Sequence, residues 1–302
     1  MVRQQSGTDS ETLVCELAGQ FLKGGRLPSA DCRRLTTATP AALYSDADFA
    51  ALAVERQLEP GTDDGSRRPG ARLREVELLP GNDRGRVLDL MCGVGNYLAA
   101  IVDAGQRYRS YLGIDVSTAA LAVARSRYPA GPIRFVHADV SEDDTALEPC
   151  DTVLLTYEAL NHVDFDAARR LLRRAAGALA PDGHILADLA LADGLPASPF
   201  RTAAELPDGY RAGDPGPCVA VVEGVPTRAA PGVSIAYRVH HLAGDRCLFH
   251  FGYRQWYPTA STVARMVAAA GLVVSGEHRL HGPAGDEPDA AHRARHFVLA
   301  HR

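Results

Sequence analysis

Val87-Leu88-Asp89-Leu90-Met91-Cys92-Gly93-Val94-Gly95-Asn96-Tyr97 is the stretch from which the rest of the chain can be read. A short apolar strand runs into a Gly-x-Gly turn and then into a helix. The glycines let the backbone turn sharply and let a ligand approach it closely, beside a helix N-terminus. Asp115 ends the next apolar run, 20 residues beyond Gly95 (115 − 95). An acid there is placed to accept hydrogen bonds from a ribose diol. His137-Ala138-Asp139-Val140 follows the third run. Asp139 can accept from an adenine amino group, with Val116 and Val140 on the ring faces. Asp89, Asp115 and Asp139 thus stand at three consecutive strand ends, the edge at which open parallel sheets bind ligands. The competing role for any one of them is to cap the helix that follows. Position 98 is leucine, so the third glycine of a dinucleotide fingerprint is missing. The turn suits a single nucleoside without a pyrophosphate.

Outward from this stretch, short apolar runs alternate with helical patterns. The runs are Val87–Leu90, Tyr111–Ile114, Ile133–Val136, Thr152–Leu155 and His184–Leu189. Between them lie Asn96–Ala104, Thr118–Tyr128 and Phe165–Leu179. This rhythm predicts an α/β fold, a mostly parallel sheet with helices on both faces. Residues 11–58 read as helical: Leu13, Leu17, Phe21 and Leu22 repeat at helical spacing, and a second segment spans Ala41–Leu58. Residues 61–70 read as a polar linker and 71–79 as a further short helix. Residues 191–232 are rich in Pro and Gly with little periodicity. Two alternating segments follow, Val233–His241 and Cys247–Tyr257, joined by Ala243-Gly244-Asp245, which predicts an antiparallel β-hairpin. Then come a helix over Thr259–Ala270, strands at Leu272–Ser275 and His296–Ala300, and a polar loop from Gly282 to Asp289. The expected organisation is an N-terminal helical segment (1–80), a nucleoside-binding core (81–190), an insertion (191–257) and C-terminal elements completing the sheet (258–302).

The 302 residues are 46% hydrophobic with a formal net charge of −5. No block of Lys or Arg points to nucleic acid, and no apolar run approaches the ~20 residues of a membrane span. The six cysteines show no metal-knuckle spacing, and no secretion signal precedes them, so they read as reduced thiols in a cytoplasmic protein.

Residues 86–190 resemble the class I S-adenosylmethionine-dependent methyltransferases. Val87–Tyr97 is similar to their first motif, Gly113–Ser117 to the second and Phe135–Val140 to the third. Asp151–Val163 is similar to the fourth, and Leu179–Leu186 to the turn and strand of the fifth. The resemblance implies a Rossmann-like sheet of seven strands, parallel except for the last, with S-adenosylmethionine as co-substrate and no metal. It implies that Asp89, Met91, Cys92, Gly93, Gly95, Tyr97, Asp115, Val116, Asp139, Val140 and Tyr157 line the cofactor. The family usually has glycine where this chain has Met91, close to the amino-acid end of the cofactor. Tyr97 is larger than the common residue there. By the same resemblance an N-terminal helix closes over the cofactor, with Tyr44 reaching the site.

The fourth motif sits beside the sulfonium. Transfer from a sulfonium is an in-line displacement helped mostly by positioning. A base is needed only when the nucleophile carries a proton that must leave, and Glu158 and His162 are the candidates, with Asn161 beside them. Insertions after the fifth strand commonly bind substrate in this family. Tyr253, Arg254 and Trp256, on the second hairpin strand, are the substrate candidates, and the arginine suits a carboxylate or phosphate. His240, His241 and His250 do not read as a metal set, because strand alternation splits the first two. The expected function is methyl transfer to a small molecule, in biosynthesis of a specialised metabolite. Two other readings remain open. Attack at the cofactor's γ-carbon would transfer an aminocarboxypropyl group or cyclise the amino acid, releasing methylthioadenosine. A non-catalytic cofactor-binding regulator is the third. The oligomeric state is not legible in the sequence.

Overall fold

The computed structural model describes residues 33–36, 40–61, 65–142, 146–206, 218–229, 231–243, 246–280 and 294–302. In chain order its strands are β1 (Arg33–Thr36), β2 (Arg86–Leu90), β3 (Ser110–Asp115), β4 (Ile133–His137), β5 (Cys150–Leu155), β6 (Leu179–Ala190), β7 (Phe200–Leu206), β8 (Cys218–Ala229), β9 (Gly232–Ala243), β10 (Arg246–Pro258), β11 (Leu272–His278) and β12 (Ala294–His301). Its α-helices are α1 (Pro40–Ser45), α2 (Ala47–Leu58), α3 (Pro69–Val76), α4 (Asn96–Asp103), α5 (Thr118–Arg127), α6 (Phe165–Ala178) and α7 (Ala260–Ala269), with a 3₁₀ turn at Ala159–His162.

The chain divides into two compact units. The larger comprises Pro40–Asp193, Ala229–Val233 and Trp256–Arg302. Its sheet has seven strands in the order β4-β3-β2-β5-β6-β12-β11. β2, β3, β4, β5 and β6 are parallel, and β12 runs antiparallel to both of its neighbours. The expected sheet, parallel except for its last strand, is therefore the one observed. The alternation of the pleat explains why these runs are strands. Leu88, Leu90, Val153 and Leu155 project into one apolar cluster, and Val87 and Leu154 into the other. Burying each such side chain contributes roughly 1.5–3 kcal/mol. Helix α6 covers one face with Ala168, Leu171, Leu172 and Ala175. Asp164 caps it by accepting from the Ala167 amide. From β2 the chain winds through β3 to β4 on one side, while β5 and β6 lie on the other. Winding reverses at β2 and β5, so a crevice opens at their carboxyl ends.

Two helical expectations change. The single helix over Ala41–Leu58 is two helices, because the Asp46 carboxylate accepts from the Asp48 and Phe49 amides and caps α2. Arg33–Thr36, read as helical, is strand β1, held by parallel pairing with Phe249–Gly252 of β10. Tertiary pairing overrides a weak local preference there. The helix read around Leu13–Leu22, the Gly244-Asp245 turn and the Gly282–Asp289 loop lie outside the described residues.

The smaller unit contains Gly194–Arg228 and Ser234–Gln255 together with β1. The expected hairpin is present as β9 and β10, inside a five-stranded sheet ordered β1-β10-β9-β8-β7. Two of those strands, β7 and β8, arise from the stretch that showed little periodicity, and pair antiparallel from Phe200↔Gly224 to Leu206↔Cys218. Cys92, Cys150 and Cys218 are free thiols. Cys247 is disulfide-bonded, which corrects the reading of all six as reduced. Among the described residues, no helix is long and apolar enough to cross a membrane.

Candidate active site

At the carboxyl end of β2 the chain turns through Met91 (φ 64°), Gly93 (φ 53°) and Gly95 (φ 76°) into α4. Met91 adopts left-handed backbone that favours glycine, so the position keeps the geometry of the family's glycine while carrying a side chain. That side chain packs on the core beneath. Asp115, at the end of β3, accepts from the Gly93 amide (2.8 Å) and the Ser117 amide (2.8 Å). Each of its oxygens keeps a lone pair for a ribose hydroxyl. Val116 is half-buried beside it and Val140 is buried. Asp139 tightens its own turn, accepting from the Ser141 amide and hydroxyl.

Three cofactor candidates are placed differently from the expectation. Asp89 does not face the strand end. It points into the sheet–helix interior and accepts from the Tyr111 hydroxyl. Burial, beside Asp115, holds its carboxyl up at about 7 despite that hydrogen bond. The Cys92 thiol is buried and lies where a Cβ on Gly113 would sit, so it fills the core under the turn. Tyr97 is buried and donates its hydroxyl to Glu75. The space a Cβ on Gly93 would occupy is taken by the Gln57 carboxamide at the end of α2, whose Oε1 accepts from the Val94 amide (3.0 Å).

At the carboxyl end of β5, Tyr157 (φ 57°) and Glu158 (φ 58°) are both left-handed. Non-glycine residues in this region cost on the order of 1–3 kcal/mol each, and such strain concentrates at functional sites. Asp188 on β6 holds the turn: its Oδ1 accepts from the Glu158 amide (3.0 Å). Its Oδ2 accepts from Arg67 Nη2 at 2.8 Å, and the same nitrogen is 3.4 Å from Glu158 Oε1. The Arg67 guanidinium also lies 5.2 Å from the Tyr157 ring centroid. Its Nε faces Glu75 Oε1 at 3.3 Å, and His296 of β12 meets that same oxygen at 2.8 Å. Arg67 is thus the cation around which Glu75, Asp188 and Glu158 converge.

The charges follow from this arrangement. Burial works against the Arg67 charge, but Asp188 and then Glu75 overcome it and raise its pKa. Burial pushes Glu75 up, yet the hydrogen bond from His296 and the nearby Arg67 bring it below its usual value. Burial raises Asp188 despite Arg67. Glu158 is raised to about 7, by burial and then Asp188, against the pull of Arg67. Its side chain retains 19% exposure, whereas Asp188 has none. His162 is lowered to about 4 by burial. It is therefore neutral near pH 7 and a weak base, which leaves Glu158 as the group poised to exchange a proton there. Tyr44 of α1 meets the His162 ring edge-on at 6.2 Å and Phe49 at 5.2 Å.

Asn161 is fully buried, and its carboxamide is spent on backbone. It donates to Ala190 O (3.0 Å) and Trp256 O (2.7 Å) and accepts from Ala190 N (3.0 Å). It ties the 3₁₀ turn to β6 and β10, in place of the substrate contact expected of it. Trp256 is likewise a core residue of the larger unit, its ring 5.5 Å from that of Phe165. In the smaller unit, Tyr253 is half-buried and stacks on Tyr237 at 5.2 Å, and exposed Arg254 reaches Ser234 Oγ at 3.4 Å. Sequence reasoning missed Arg67, Glu75, Asp188 and His296. Only Asp188 left a signal, as an acid inside the apolar run His184–Leu189.

Residues 87–183 match the family model described as "Methyltransferase domain". No curated protein sequence matches the chain. Among solved structures, the fold resembles the CcbJ methyltransferase from Streptomyces caelestis (20% identity, TM-score 0.65, 86% of this chain and 98% of that one). It also resembles KedS8, a sugar N-methyltransferase from Streptoalloteichus (18%, 0.56, 92% and 100%). A third is CalS10 from Micromonospora echinaspora, described as an amino pentose methyltransferase of calicheamicin biosynthesis and solved with S-adenosylmethionine bound (19%, 0.53, 77% and 89%). The chain carries a methyltransferase domain over residues 87–183, and its fold is that of the class I S-adenosylmethionine-dependent methyltransferases. It is an S-adenosylmethionine-dependent transferase, with that molecule as co-substrate.

Proposed function

We propose that the protein methylates an amine nitrogen of a small molecule. The observation that carries this reading is Glu158, a partly exposed carboxylate in strained backbone at the end of β5, with its pKa raised to about 7. An alkylamine is an ammonium near neutral pH and has no lone pair to offer. A carboxylate that gains a proton near pH 7 is suited to take one from it, directly or through a water. S-adenosylmethionine supplies the electrophilic methyl group on a sulfonium. Asp115 and the Met91–Gly95 turn hold the nucleoside side, and the residues present fit it: two carboxylate oxygens with spare lone pairs, and a glycine turn at a helix N-terminus. Tyr157 and neutral His162 line the reacting end without adding a competing positive charge. The fold neighbours described as amino pentose and sugar N-methyltransferases agree with an amino sugar as acceptor.

Incubation with methyl-labelled S-adenosylmethionine and paired amino and hydroxy sugars tests the reading. N-methyl product with S-adenosylhomocysteine supports it. Methylation of hydroxyl groups alone overturns the amine. Methylthioadenosine as the co-product overturns methyl transfer altogether and supports γ-carbon chemistry.

A further inference from the structure

We propose that Asp188 and Arg67 are positioning residues that fix both the aim and the charge of Glu158. Asp188 is bound at once to the Glu158 backbone and to the cation beside the Glu158 carboxylate. The inference rests on the reading of Glu158 as the base and names the groups that make it one.

The geometry separates two jobs. The 3.0 Å bond from the Glu158 amide to Asp188 Oδ1 holds the left-handed turn in which Tyr157 and Glu158 are both strained. Without a partner for that amide the turn has no reason to keep two side-chain-bearing residues at positive φ. The second job is electrostatic. Arg67 Nη2 lies closer to Asp188 (2.8 Å) than to Glu158 (3.4 Å), so the guanidinium spends most of its charge on Asp188. Asp188 thereby shields Glu158 from full neutralisation and adds a negative charge of its own nearby. A Glu–Arg pair standing alone would give a carboxylate too weakly basic for proton transfer at neutral pH. A second anion sharing the arginine, Asp188, restores the basicity.

The other charged and titratable groups of the cluster act on the same arginine. Glu75 of α3 engages its Nε, Tyr97 of α4 donates to Glu75, and His296 of β12 bonds Glu75. These three anchor Arg67 from the far side. His162, on the 3₁₀ turn, is neutral near pH 7. Asp188 and Arg67 are therefore the pair that sets Glu158.

The test follows the Glu158 carboxyl itself and needs no acceptor. Full-length protein labelled with side-chain ¹³C-glutamate and saturated with S-adenosylmethionine is titrated by NMR, and the Glu158 resonance is identified as the one missing in Glu158→Gln. Asp188→Asn keeps the shape and removes the anion, so the Glu158 midpoint should fall by about one pH unit or more. Arg67→Met removes the cation, so the midpoint should rise by a similar amount. Arg67→Lys keeps the charge and should leave the midpoint near that of the wild type. Opposite shifts from two neighbouring substitutions are not produced by general loosening, which moves both towards the solvent value. If Asp188→Asn does not fold, the Met and Lys variants at Arg67 carry the test between them. Midpoints that stay put, or move in the same direction, overturn the inference. The underlying reading fails separately: if Glu158→Gln keeps full turnover in the methyl-transfer assay, Glu158 is not the base, whatever its midpoint does.

Discussion

Asn161→Ala separates a structural tie from a catalytic contact. The carboxamide makes three hydrogen bonds of 2.7–3.0 Å with no solvent exposure, two to Ala190 and one to the Trp256 carbonyl. A buried hydrogen bond contributes about 1 kcal/mol net, and truncating one partner strands the other in the interior. Three such bonds give an expected loss of about 2–4 kcal/mol. With a urea m-value of about 3 kcal/mol/M for a unit of this size, the unfolding midpoint should fall by about 1 M. The chain has one tryptophan, and it is the residue whose carbonyl is stranded. Trp256 fluorescence therefore reports the unfolding of the larger unit directly. Turnover per folded molecule should change little, and cofactor affinity should hold. A variant that keeps its urea midpoint but loses turnover a hundredfold would refute this account and return Asn161 to the reacting centre.

Further outcomes are expected at the two ends of the crevice and in the cluster. Asp115→Ala should weaken S-adenosylmethionine binding by about 1.5–3 kcal/mol, the loss of hydrogen bonds to a charged acceptor; unchanged calorimetric affinity would remove Asp115 from the ribose. Glu158→Gln should lower kcat by about 10²–10⁴-fold. In the wild type kcat/KM should rise with pH through about 7 as Glu158 loses its proton, without an inflection from His162 near 6.5, since burial holds that ring down at about 4. A profile flat from pH 6 to 8 would speak against the base. His296 is raised above its unfolded value: burial opposes the charge, but the hydrogen bond with Glu75 prevails. Its contribution to stability is present below pH 6.5 and lost as pH rises through the folded pKa. The stability gap between wild type and His296→Gln should accordingly be wider at pH 6 than at pH 9 in urea melts; an equal gap would mean that His296 is neutral throughout.

The inner strands β2, β3, β5 and β6 were legible because they carry short apolar runs buried on both faces, and burial on both faces leaves a local signature. The smaller sheet was half legible. β9 and β10 alternate, whereas β7 and β8 lie in a stretch rich in Pro and Gly and take their extended form from each other. β1 is four residues long and rests on β10, more than 200 positions away. The glycine turn and Asp115, the residues expected on the nucleoside side, do lie together at the ends of β2 and β3, because they follow one another along the strand-turn-helix. Asp89 was misplaced by one step of the pleat. As the fourth residue of β2 it faces the interior, and Tyr111 on the adjacent strand claims it. The charge cluster at the end of β5 was legible only in part. Glu158 stood out in the fourth motif, but the groups that govern it come from positions 67, 75, 188 and 296. The Arg67 and Asp188 side chains meet across 121 residues of sequence. A linker arginine and a strand aspartate carry no mark of each other until the sheet brings them together.

The position of β12 between β6 and β11 has a consequence for biosynthesis. This strand follows every other described element in chain order, yet it is an interior member of the sheet. While the ribosome is still making it, β6 has an open edge of unpaired amides and carbonyls, and β11 has no neighbour at all. Glu75, meanwhile, waits for His296, 221 residues later. A nascent chain paused before Ala294 would expose a long apolar strand edge over a half-neutralised charge cluster, a state prone to wrong pairing. Completion of the core sheet therefore waits on the insertion of this one strand, and holdase chaperones should bind stalled chains that end before it far better than chains that include it.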